Sequence, residues 1–124
     1  MTMALTFGPY SPIWRAGDLL FIAGHVGVNP HSKSALPDIE GQTMQVLTNL
    51  ENTMRDVGFE IKNIVKTTVY LVSMDDFTAM NKVYEQYFAI PRPVRSTVGV
   101  SELPRVGGDT KLLVEIDAVA YVGK

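Results

Sequence analysis

Apolar side chains recur at three- and four-residue steps along one stretch of the chain: Ile39, Val46, Leu47, Leu50, Met54 and Val57, with Thr43 in the same stripe. That period predicts an amphipathic helix. Asp38 stands where an N-cap is needed, and Gly58 offers a left-handed C-terminal cap. A second stripe, Phe77, Met80, Val83, Tyr84, Tyr87 and Phe88, predicts a second helix, opened by Ser73-Met74-Asp75-Asp76 in the manner of a capping box. Ile13-Trp14-Arg15 and Leu19-Leu20-Phe21-Ile22-Ala23 flank the turn signal Ala16-Gly17-Asp18 and predict a β-hairpin. The run 64–72 is dense in β-branched residues and predicts a central strand. Two more strands are expected near 96–100 and 112–122, and Asn29-Pro30-His31-Ser32-Lys33-Ser34 is expected to be a loop. The order β-β-α-β-α-β-β predicts an α/β (α+β) two-layer sandwich, a single sheet with both helices on one face.

The strand faces bear on assembly. On the last strand Leu112, Val114, Ile116, Ala118 and Ala120 alternate with Leu113, Glu115, Asp117, Val119 and Tyr121, and the first set suits the helix-covered face. On the early strand Leu20 and Ile22 are opposed by Leu19, Phe21 and Ala23, so both faces are apolar. Two helices cover one face of a sheet. The other face is expected to meet a partner, most simply further copies of the same chain.

Composition narrows the classes. The 124 residues are expected to form one domain, 1–124, with no internal linker. No apolar run approaches the ~20 residues of a membrane helix, so no membrane association is expected. The formal net charge of −2 supplies no basic stripe for a phosphate backbone, which makes nucleic acid a poor partner. Absence of cysteine removes thiol nucleophiles, disulfides and thiolate metal sites. The opening Met1-Thr2-Met3-Ala4-Leu5-Thr6 has neither a basic region nor a long apolar core, and a cytoplasmic location is the simplest expectation. His25 and His31 lack metal-ligand spacing, and Gly24-His25-Val26-Gly27 is no dinucleotide fingerprint, so neither metal nor organic cofactor is expected.

The residues that could carry chemistry start with Arg95, in Pro91-Arg92-Pro93-Val94-Arg95-Ser96-Thr97-Val98, where two prolines stiffen the approach to a strand. A guanidinium held there suits a carboxylate, and it equally suits an ion pair on a strand edge. Glu115 lies in the apolar run 112–121, as a candidate base, a solvated strand carboxylate or a partner for Lys111; Asp117 is the fallback. Together with Gly8-Pro9-Tyr10-Ser11, Phe21-Ile22-Ala23-Gly24-His25-Val26 and Ile64-Val65-Lys66-Thr67-Thr68-Val69-Tyr70-Leu71, these segments resemble the Rid (YjgF) family of enamine/imine deaminases over residues 8–120.

The resemblance implies a chorismate-mutase-like fold assembled as a homotrimer, with sites between subunits. It implies hydrolysis of reactive 2-imino acids or enamines to 2-keto acids and ammonia, on a small carboxylate-bearing substrate. By that likeness Arg95 holds the substrate carboxylate, Glu115 orients or activates water, and Tyr10 stands at the ligand site. Ala23, Gly24, Thr97 and Asn81 complete the substrate-binding set. The match departs from the family at Ala23, where serine is common, at His25, where glutamine is common, and at Thr97, where cysteine is frequent. The stretch Val106-Gly107-Gly108-Asp109 is also longer than usual. These departures keep open a non-catalytic module that binds small carboxylates; endoribonuclease or translation inhibition is a third reading, weakened by the acidic composition.

Overall fold

The structure, a computed structural model, describes residues 6–123. The N-terminal stretch expected to lack a secretory signal lies outside them, apart from Thr6. Five strands and two helices follow in chain order: β1 Ile13–Ala16, β2 Leu19–Val26, α1 Ile39–Asp56, β3 Ile64–Leu71, α2 Phe77–Tyr87, β4 Val94–Gly99 and β5 Val114–Tyr121. The expected order therefore holds. The strands form one sheet in the order β1-β2-β5-β3-β4. All neighbours are antiparallel except β3 and β4, whose parallel pairing is made possible by the crossover through α2.

Local chemistry sets the element ends where it is strong. Gly17 has φ of +62° in the β1–β2 turn, a conformation glycine takes without steric cost. Asp38 accepts a hydrogen bond from the Gly41 N–H and caps α1, and Gly58 has φ of +86° just beyond its end. The apolar stripe of α1 packs on the sheet: Val46, Leu47, Leu50 and Met54 are fully buried, each contributing roughly 1.5–3 kcal/mol by removal from water. Val57, counted in that stripe from its spacing, is instead exposed, because the chain leaves the helix there.

β4, expected near 96–100, runs Val94–Gly99, and β2 extends past Ala23 to Val26; two further boundaries differ for identifiable reasons. Ser73 does cap, accepting from the Asp75 N–H, but the turn it opens is a 3-10 turn over Met74–Asp76, and α2 begins only at Phe77. The last strand was expected from 112, yet β5 starts at Val114. The cause is Gln42 of α1, fully buried, whose amide donates to Leu36 O and Lys111 O while its carbonyl accepts from the Leu113 N–H at 2.7 Å. A side chain thus satisfies backbone groups at the start of the expected strand.

The alternation on β5 is as read: Val114, Ile116, Ala118 and Ala120 are buried beneath the helices. The opposite face is open. Trp14, Leu19, Phe21, Val94 and Tyr121 are exposed there in the single chain, with Trp14 at 67% and Val94 at 68%.

Candidate functional site

Arg95 sits on β4, opposite Thr67 of β3, in a cross-sheet row with Ala118 and Ile22. Thr67, Ala118 and Ile22 are buried under the helices, so Arg95 points to the helix side. Its guanidinium lies over the Tyr84 ring at 4.8 Å and faces the Phe77 ring at 5.7 Å, held by cation–π attraction. The Tyr84 hydroxyl is in turn hydrogen-bonded to Thr67 Oγ1 at 2.7 Å, which fixes the platform. Among the described residues Arg95 makes no ion pair. The edge ion pair, one of the two alternatives open from sequence, is therefore absent there. Arg95 and Asn81 line one cavity of about 590 Å³. Thr97, on the same side of β4 one pleat on, has a buried hydroxyl without a hydrogen-bond partner.

Glu115 occupies a second, separate cavity of about 330 Å³, with Tyr10, Ala23, Gly24, Phe7, Val26 and Val106. It lies between the buried Val114 and Ile116 and therefore projects to the face away from the helices. Burial first, and the nearby Asp117 carboxylate second, push its pKa above the usual glutamate value. Glu115 has no ion pair with Lys111, and Asp117 is engaged as acceptor from the Tyr70 hydroxyl at 2.8 Å. Tyr10 is half exposed, and its hydroxyl accepts from the Phe7 N–H.

Gly24 has a reason not foreseen from sequence. A Cβ there would collide with Glu115 Oε2, so the room the glycine leaves accommodates that carboxylate. The β2–β5 register also shifts between Ile22 and His25, which places Ala23 and Gly24 in a β-bulge against the strand that carries Glu115. An isolated glycine inside a strand is the signal that could have found it. Sequence reasoning also missed Tyr84, which was assigned only to an apolar stripe.

His25 stands behind the bulge, buried. Its Nδ1 is 2.7 Å from Ala23 O and its Nε2 is 2.8 Å from Thr53 Oγ1 of α1. With the proton on Nδ1, the ring donates to the carbonyl and accepts from the threonine hydroxyl. Burial pushes its pKa below the usual histidine value. The folded protein therefore binds this proton less readily than the unfolded chain. Stability from neutral His25 is fully present above the unfolded pKa near ~6.5 and is lost as pH falls through the lower folded value. His25→Gln should remove that slope. Urea midpoints measured from neutral to mildly acidic pH check it, and a parallel decline in both proteins would sink the assignment.

The sequence-derived residues thus fall into two groups, Arg95, Asn81 and Thr97 toward the helices, and Tyr10, Ala23, Gly24 and Glu115 on the open face. Within one chain the sheet separates the arginine from the glutamate. The fold is thus an α+β sandwich with a stacked arginine, free of ion pairs among the described residues, on one side of the sheet and a carboxylate of raised pKa on the other.

Comparison places the chain more narrowly. The family described as Endoribonuclease L-PSP matches residues 1–122. A RutC family protein of Pyrococcus horikoshii is 42% identical over 115 residues, covering 92% of this chain and 87% of its own. The 2-iminobutanoate/2-iminopropanoate deaminase of Capra hircus is 36% identical over 117 residues, covering 94% and 82%. The crystal structure of Escherichia coli TdcF with bound serine superposes with a TM-score of 0.86 at 30% identity, covering 95% of this chain and 91% of that one. The chain belongs to the Rid (YjgF/RutC) family. Its mixed five-stranded sheet with two helices is the fold of that family.

Proposed function

We propose that this protein hydrolyses reactive 2-imino acids, or their enamine tautomers, to 2-keto acids and ammonia at a site formed between copies of the chain. The observation that carries the reading is Arg95: stacked on Tyr84, free of ion pairs among the described residues, and facing a cavity. A planar guanidinium held in this way suits a carboxylate through two parallel hydrogen bonds. The deaminase names among the relatives and the bound serine of TdcF support the same ligand chemistry.

Glu115 supplies the second half. Water adds to the C2=N bond and its first proton passes by way of the carboxylate to nitrogen; the carbinolamine hydroxyl then gives up its proton, which reaches nitrogen by the same route, as C–N breaks, C=O forms and ammonia leaves. A carboxyl with raised pKa accepts and returns that proton more readily near neutrality than an ordinary one. Tyr10 would hold the ligand or the water from the same wall. Neither metal nor organic cofactor has a role in this scheme. The test is ammonia release from freshly generated 2-imino acid, with nonenzymatic hydrolysis subtracted. A rate no higher than that background leaves only the carboxylate-binding module.

Assembly follows from the division of the site. The open face, with Trp14, Phe21, Leu19 and Tyr121 exposed, is the surface we propose to turn inward in a homotrimer, bringing one copy's Arg95 to another's Glu115. Size exclusion with light scattering at micromolar concentration should give three chains per particle. A stable monomer that retains full activity would remove both the oligomer and the shared site.

A further inference from the structure

The cavity that holds Arg95 contains more positive charge than one carboxylate requires. Arg92 and Lys82 line it too, opposed by the single carboxylate of Glu85, with Thr78 and Asn81 as neutral polar groups. Three of the chain's 11 basic residues meet in one recess of a protein whose net charge is −2. Among the described residues none of the three makes an ion pair; those present join Arg55 to Glu51, Lys62 to Glu60 and Arg105 to Glu102, all elsewhere.

Two of the three cations are fixed. The Arg92 guanidinium donates through Nε to Phe88 O at 3.2 Å and through Nη2 to Glu85 O at 3.1 Å, so it closes the end of α2 and leaves its remaining N–H groups unused by those bonds. Arg95 is held on its aromatic platform. Both guanidinium groups act on the Tyr84 phenol: burial dominates and raises its pKa, while the Thr67 hydrogen bond first, then Arg95 and Arg92, pull it down. Lys82 follows Asn81 on the exposed side of α2. Prepositioned donors of one sign around a recess attract anions and favour those that meet several donors at once.

We infer that this cavity selects substrates with two acidic groups: one carboxylate on Arg95, and a second acid group on Arg92 and Lys82. The substrate class is a 2-imino acid whose side chain itself ends in a carboxylate or comparable anion. This rests on the reading of Arg95 as carboxylate anchor and adds to it the group beyond the reacting carbon.

Calorimetry with two unreactive probes on the intact protein tests it. Succinate should bind about tenfold more tightly than butyrate at low salt, and the ratio should shrink toward unity near ~0.5 M salt as screening weakens the second contact. Lys82→Ala, a change on an exposed helix surface, should cut succinate affinity several-fold more than butyrate affinity. Arg92→Gln should do the same; if it disturbs the end of α2, Lys82→Ala alone carries the comparison. Equal affinity for the two probes, or a ratio indifferent to Lys82, overturns the inference. If Arg95→Ala abolishes butyrate binding while succinate enjoys no preference, the carboxylate anchor stands and only the second contact fails. If the wild type binds neither probe, both are wrong.

Discussion

Arg95→Ala is expected to weaken binding of small carboxylates at least about thirtyfold, the result of removing a positioned charged donor pair worth roughly 2–5 kcal/mol. The loss should be large because Arg92, the other guanidinium of the recess, is tethered to the carbonyls that end α2 and keeps only part of its donor set for a ligand. Arg95→Lys separates charge from geometry. Lysine keeps the charge but cannot make two parallel bonds or stack a planar group on Tyr84, so it should recover only part of the affinity. Titration of the three proteins with butyrate checks this. Full affinity in the alanine variant would end the role given to Arg95 here.

Glu115→Gln is expected to act on the rate instead. Glutamine has nearly the same shape and can occupy the space over Gly24, but it cannot take a proton from water. Turnover should fall by ~10²–10⁴-fold with ligand affinity retained, the usual contribution of a general base. Measured against the spontaneous hydrolysis of the imine, a variant as fast as the parent would make the carboxylate structural and leave the reaction to positioning alone. The pair of variants together separates binding from chemistry.

How much of this could be read from sequence depends on how local the deciding forces are. The ends of α1 were legible because Asp38 and Gly58 act within a turn of the residues they cap. The start of β5 was not, since a glutamine some seventy residues away takes over its first backbone groups. Arg95 and Glu115 could be singled out by motif, and the face of Glu115 by the alternation along β5, but not the face of Arg95. That follows from strand register, and register is a property of pairs of strands that no single segment carries. Tyr84 reads as one more apolar residue in a helix stripe; only the fold shows its hydroxyl against Thr67 and its ring beneath a guanidinium.

The bulge at Ala23 and Gly24 has a consequence for how such a protein can diverge. With His25 tying the bulge to α1 and Glu115 filling the space over Gly24, that half tolerates little change without losing its carboxylate. The arginine half lies across the sheet, built from the end of α2 and the start of β4, and shares none of these contacts. On the roles proposed for Arg95 and Glu115, substitutions in the arginine half would change which molecules are held while leaving the reactive group untouched. In the proposed assembly, a mixture of two such variants would join one copy's selectivity to another's chemistry.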